Sequence, residues 1–240
     1  MRLLTEQGLL DDTAAPGDVG QRLGEWLDFR QAIALKGFIG ALDLDDTQAT
    51  VSRVRVDARV LHERFAQVRA ALEQSILQGT PPAPGMPRIE QPATELPQPI
   101  DTRTAFEPFR RYASGHQRQM ESVIRSLRGQ LRGMLHKGST PQRQLAALDA
   151  IFDNVLMARE ARLLGQITLR FEKRFAQALR QHTRALVQAA QADEPAPASA
   201  IWLTPLFEAM RAALLAELDL RLQPLLGLIE AISPQHTVQA

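Results

Sequence analysis

Apolar positions recur at helical spacing through most of this chain. Val54, Leu61, Phe65, Val68, Leu72 and Ile76 follow one another at three, four or seven residues, which predicts an amphipathic helix over 50–78. Phe106, Phe109, Tyr112, Met120, Ile124, Leu127 and Leu131 predict another from Thr104 or Ala105 to about His136, ended by Gly138. The run Ser139–Gln191 then reads as one long helix, with Thr140 as cap and Pro141 at the first helical position. A helix of about 50 residues would be roughly 75 Å long. Its one internal glycine, Gly165, is where a bend or break is expected.

Shorter elements flank these. Residues 1–10, 18–29 (anchored by Trp26) and 31–42 read as short helices. Thr204-Pro205 repeats the cap-plus-proline start and opens a strongly apolar helix over 206–222, which Pro224 should kink before it resumes over 225–232. Between Gly79 and Thr104 the character changes, with Pro81, Pro82, Pro84, Pro87, Pro92, Pro97 and Pro99 crowded into a tract poor in apolar residues. Such a tract is a semi-extended connector or surface strap and a candidate domain boundary. No strand-like alternation of useful length and no internal repeat stands out. The expected fold is all-α: an elongated helical bundle with a long central helix and a Pro-rich linker. Its divisions are an N-terminal helical segment 1–78, the linker 79–103, a long helical hairpin 104–192 and a C-terminal apolar helix 193–240 packing on the bundle.

Composition agrees. Ala and Leu carry the apolar load, and aromatics make up only 5% of 240 residues, which favours helices over sheets. With no cysteine there is neither a disulfide framework nor a thiolate metal site. Asp11 and Asp12 follow Met1–Leu10 without the apolar core of a signal peptide, and charged residues interrupt every apolar run, so membrane insertion is not expected and the cytoplasm is.

Charge is uneven although the net is +1: residues 1–102 carry −5, 103–138 carry +6, 139–192 carry +4 and 193–240 carry −4. All but three of the basic residues are arginine. Arg118, Arg125, Arg128 and Arg132 fall on one helical face, extended by Arg110 and Arg111. Arg170, Lys173 and Arg174 decorate the neighbouring helix, with Arg159, Arg162, Arg180 and Arg184 along it. These residues (Arg111, Arg118, Arg125, Arg128, Arg132, Arg170, Lys173, Arg174) are candidates for contact with nucleic acid or a protein partner. The competing reading is a solvated face, or ion pairs within the bundle. No helix-turn-helix or basic zipper is present, so base-specific readout is not indicated.

Other constellations favour structure over chemistry. Asp149 and Asp153 share a face, but no acidic residue has a histidine three positions on, so a di-iron arrangement is not supported and pairing between helices that fixes register is expected. The five histidines, His62, His116, His136, His182 and His236, are scattered without zinc spacing. No nucleophile motif and no Walker-type loop is found, so the expectation is a protein that is not an enzyme and needs no cofactor. The C-terminal helix is apolar on several sides, which implies burial first and a partner interface second, with Trp202, Phe207, Leu214 and Leu218 as its candidate partner face.

Three segments in order carry a family resemblance: Gln21-Arg22-Leu23-Gly24-Glu25-Trp26-Leu27, Ala147-Leu148-Asp149-Ala150 through Ala158-Arg159-Glu160, and Ala216-Glu217-Leu218-Asp219-Leu220-Arg221-Leu222-Gln223-Pro224-Leu225-Leu226-Gly227. Their order and spacing resemble a bacterial family of about this length, over nearly the whole chain outside the proline tract. Members of that family are encoded beside a MotA/TolQ-like motor protein and an OmpA-like peptidoglycan-binding protein. The arrangement resembles type III Zorya anti-phage defence, in which the cytoplasmic accessory component is often called ZorF. The resemblance implies an accessory or effector subunit that binds other components of a defence complex. The basic middle of the chain adds non-specific DNA as a further candidate partner, and homo-oligomerisation is left open. It implies no catalytic residues. The alternatives are a stand-alone, non-specific DNA-binding helical protein and a purely structural helical scaffold.

Overall fold

The computed structural model describes residues 36–37, 58–97, 100–195 and 197–232. The helices expected within 1–57 fall outside these, apart from Lys36 and Gly37, which are helical. Four long helices account for most of the rest: α1 (Ala58–Gln78), α2 (Glu107–Leu135), α3 (Thr140–Ala192) and α4 (Ala200–Ile232). The fold is all-α, with no strand among the described residues.

The boundaries of these helices have identifiable causes. Gly79 ends α1 in the left-handed region at φ 72°, with its N–H on the Ser75 carbonyl at 2.9 Å. Two further terminal carbonyls of α1 are satisfied by side chains. Tyr112 Oη donates to Ile76 O at 2.6 Å, and Gln91 Nε2 and Arg211 Nη2 donate to Leu77 O at 3.0 and 2.9 Å.

At the start of α3, Ser139 rather than Thr140 is the cap residue. The Ser139 carbonyl accepts the first intrahelical bond, from Arg143 N at 2.9 Å, and Gln142 Oε1 reaches back to accept from Ser139 N at 2.9 Å. A glutamine three residues beyond a serine can close this half of a capping box, and it moves Pro141 to the second helical position, where it still displaces no bond. From there α3 runs unbroken for 53 residues, so no break occurs at Gly165. It ends at Asp193, held at φ 57°, with Glu194 N on Ala189 O at 2.9 Å in the six-to-one bond of a Schellman turn.

The α4 helix begins earlier than its prolines suggest. Ser199 opens it, accepting from Trp202 N and Leu203 N at 3.2 and 3.1 Å, and the helix passes through both Pro205 and Pro224 without interruption. Each proline removes one intrahelical bond. Packing overrides that cost, because Leu203 on one side of Pro205 and Leu222, Leu225, Leu228 and Ile229 around Pro224 are all buried.

Two compact units are built from these helices, each drawing on segments far apart in sequence. Among the described residues, the first comprises Arg69–Glu121 and Leu163–Leu220, and the second Ser122–Arg162 with 58–68 and 221–232. The first unit gathers most of the aromatics among the described residues. Phe175 lies 5.3 Å from Phe106, 5.4 Å from Phe109 and 5.2 Å from Trp202 between ring centroids, and Tyr112 meets Phe207 edge-on at 5.1 Å.

The proline tract belongs to this unit as a fitted strap. Pro87 O accepts from Gln119 Nε2 at 2.6 Å, and Leu96 N donates to Ser199 Oγ at 3.0 Å. Ile89 sits so close to Gly115 that a Cβ there would come within 3.1 Å of its Cδ1. Proline supplies no N–H of its own, so the tract is held by its carbonyls and by the few N–H groups between prolines.

The second unit is aliphatic. Leu61, Ile124, Leu127, Leu131, Leu135, Ala146, Val155, Leu225 and Ile229 are buried there.

Candidate functional site

The basic positions picked from the sequence differ in burial. Arg128 and Arg132 are spent. In the second unit, Arg128 donates from Nε and Nη2 to Asp149 and from Nη1 to Asp153, the last at 2.6 Å. Arg132 Nη1 adds a bond to Asp153 Oδ2 at 3.1 Å. Arg128 and Asp149 are only 14% and 9% exposed, so this cluster is interior to the unit rather than a surface for phosphate. Burial by itself would lower the Arg128 pKa, but the hydrogen bond to Asp149 and the charges of Asp149 and Asp153 outweigh it and hold the guanidinium above its ordinary value. The pairing between helices expected at Asp149 and Asp153 is therefore present, and its partners come from the arginine stripe itself. Nearby, Glu160 pairs with Arg221 at 2.8 Å.

Arg111, Arg118 and Arg125 on α2 and Lys173 and Arg174 on α3 are exposed, and Arg170 is half-buried. Arg111, Arg118, Lys173 and Arg170 belong to the first unit with Arg174, and Arg125 to the second, where its Nη2 approaches Met157 Sδ at 3.5 Å.

The proposed partner face of α4 is corrected. Phe207, Leu214 and Leu218 are 5%, 3% and 1% exposed, consumed by the core of the first unit. Trp202 is half-buried against Phe175 and His182. The sequence showed that α4 is apolar on several sides, and the chain itself covers those sides.

A groove that the sequence did not single out lies in the first unit, with a volume of about 700 Å³. One wall is the turn before α2, represented by Thr102, Arg103 and Phe106. Asp101 shapes that turn, accepting from Arg103 N at 3.0 Å and from Thr104 Oγ1 at 2.8 Å; the backbone bond from Arg103 is the main cause of its lowered pKa. The rest of the groove is a face of α3 made of two adjacent rows, Phe175, Leu179, Thr183 and Val187 in one and Glu172, Ala176, Arg180, Arg184 and Gln188 in the other. Steps of four keep each row on one ridge of the helix. Phe106 and Phe175 are fixed in the aromatic cluster, so the floor is rigid.

The rim is cationic. Arg103, Arg180 and Arg184 are exposed and make no ion pair among the described residues. The one acid of the groove, Glu172, is occupied by Arg110 Nη2 at 2.5 Å. Arg180 and Arg184 were visible in the sequence as basic positions. What joins them to Phe106 and Arg103, some 75 residues earlier, is tertiary structure.

Among the described residues, no group of three His, Asp or Glu side chains is placed to hold a metal ion, and no helix is long and apolar enough to cross a membrane.

Residues 1–234 match the family described as protein of unknown function (DUF3348). The chain belongs to the DUF3348 family. No curated protein and no solved structure matches it. The DUF3348 match runs through all four helices and the strap, so the groove and the Arg128 cluster both lie within it.

Proposed function

We propose that this protein is a non-catalytic binding subunit, the cytoplasmic accessory or effector component of a motor-linked, Zorya-type anti-phage defence system, acting through contacts with protein partners. The observation that carries the binding role is the groove of the first unit: an apolar floor, a cationic rim and no ion-pair partner among the described residues for Arg103, Arg180 or Arg184. The motor-linked setting rests on the three ordered segments that resemble the family encoded beside MotA/TolQ-like and OmpA-like proteins.

Non-specific DNA is the weaker partner. Arg128 and Arg132 are neutralised by Asp149 and Asp153, which removes half of the four-arginine stripe from phosphate contact. Arg111, Arg118 and Lys173 remain exposed and keep the DNA alternative testable.

The deciding experiment is co-expression with the neighbouring genes. The tagged chain should co-purify with the motor-protein or peptidoglycan-binding neighbour, and its deletion should abolish protection against phage. Intact protection without it, together with no co-purification, sinks the proposal. Duplex DNA bound at low salt and released at high salt, with no protein partner captured, would favour the DNA alternative.

A further inference from the structure

We infer that the groove between the 102–106 turn and α3 docks an acidic, amphipathic α-helix of a partner protein. This rests on the binding role proposed above and names the partner's chemistry.

Shape argues for a helix. The two rows on α3, from Glu172 to Gln188, lie side by side at steps of four and leave a furrow between them. Such a furrow accepts the matching ridge of a second helix. Sixteen residue steps at 1.5 Å span about 24 Å, the length of a helix of about 16 residues. Phe175 and Leu179, 2% and 3% exposed, form the furrow's closed floor, and Thr183, Val187 and Gln188 its open end. Val187 is 53% exposed at one end of the furrow's apolar row, a large aliphatic side chain that an incoming helix would cover.

Charge argues for acidity. Arg180 and Arg184 stand one turn apart, so carboxylates one turn apart on the incoming helix would meet both. Arg103 faces the same furrow from the opposite wall. Glu172 does not oppose an acidic ligand, because Arg110 holds it. A single-stranded nucleic acid fits less well: base stacking needs open aromatic faces, and Phe106 and Phe175 are 5% and 2% exposed.

The probe is a labelled synthetic peptide of about 16 residues with alanine and leucine on one ridge and glutamates on the flanks, titrated into the full chain by fluorescence anisotropy. A scrambled peptide of the same composition is the control. Binding is expected for the patterned peptide, weaker for the scramble, and reduced about tenfold or more by the double variant Arg180→Glu/Arg184→Glu. Because the chain has no cysteine, Val187→Cys carries a single photo-crosslinker, which should attach to the peptide's apolar ridge. Equal binding of the scramble overturns the inference, as does binding indifferent to the charge reversal. So does a cross-link to the chain's own residues or to a second copy, or duplex DNA binding lost in the same double variant while the peptide is ignored. The peptide assay needs no defence component: peptide binding with protection intact in the deletion and no co-purification sinks the functional proposal alone, and co-purification without peptide binding sinks the groove alone.

Discussion

Arg128 grips Asp149 with two nitrogens, Nε to Oδ2 at 2.9 Å and Nη2 to Oδ1 at 2.6 Å, and spends its third on Asp153 at 2.6 Å. This fork joins α2 to α3 within the second unit. Removing Arg128 leaves Asp149 and Asp153 with Arg132 Nη1, at 3.6 and 3.1 Å, so the cost lies below the about 3–5 kcal/mol of a deeply buried charge left with no partner. Asp153 is also 30% exposed and screened by solvent, so Arg128→Ala is expected to lose about 2 kcal/mol in urea denaturation. Arg111→Ala, at an exposed site, should change stability by less than about 0.5 kcal/mol. A double-mutant cycle with Asp149→Asn checks the assignment, since a coupling near zero would mean the fork contributes nothing.

His116 is 1% exposed, its ring edge-on to Tyr112 at 4.5 Å, with no hydrogen-bond partner for Nε2. Burial lowers its pKa to about 4. The folded state therefore favours the neutral ring, while the unfolded chain takes up a proton near 6.5. Stability is full above that value and falls as pH drops toward 4, by roughly 3 kcal/mol in total. Urea midpoints at successive pH values should show this slope, and His116→Phe should flatten it. A slope unchanged in that variant would place the titration elsewhere.

Pro224 sits inside the continuous α4 and removes one backbone bond. Its side chain is exposed, so Pro224→Ala should restore the bond without opening a cavity. A gain of about 1–3 kcal/mol is expected, reduced by the freer unfolded chain. A loss of thermal stability would show that the ring contributes packing beyond what its exposure suggests.

Two helix ends respond oppositely to glycine. Gly79→Ala forces a Cβ into a positive-φ site, 3.2 Å from Ile89 O, and should cost about 1–2 kcal/mol. Asp193→Gly relieves the same backbone penalty at the end of α3 and should gain up to about 1 kcal/mol. Thermal melts of the two variants moving in the same direction would refute the comparison.

Periodicity alone disclosed the helices. Leu61, Val68, Leu72 and Ile76 are buried on α1 as their spacing requires, and α3 is the long helix that Ser139–Gln191 announced. Local rules failed where packing outweighed them. Proline at 205 and 224 argued for a late start and an interruption in α4, yet the buried leucines around each kept the helix whole. Glycine at 165 argued for a bend or a break, and the helix runs through it without a break. The candidate site was only half legible. Arginine spacing marked α2 and α3 as basic, but whether each arginine meets an aspartate or water depends on which helix lies opposite, and spacing within one helix holds no record of that. Arg128 and Arg132 found Asp149 and Asp153. Arg180 and Arg184 meet none among the described residues, and that difference defines the groove.

The strap bears on the entropy of folding as well as on shape. The bonds around it near α1 and α2 close short loops: Tyr112 Oη of α2 to Ile76 O of α1 spans 36 residues, and Gln119 Nε2 of α2 to Pro87 O of the strap spans 32. The links to α4 close long ones: Gln117 to Glu217 spans 100 residues and Leu96 N to Ser199 Oγ spans 103. Loop-closure entropy favours the short loops. Within the first unit, then, the contacts among α1, strap and α2 close at a lower entropic cost than the contact of Leu96 with Ser199 beside α4. The stretch that looked like a spacer is part of what seats the last helix.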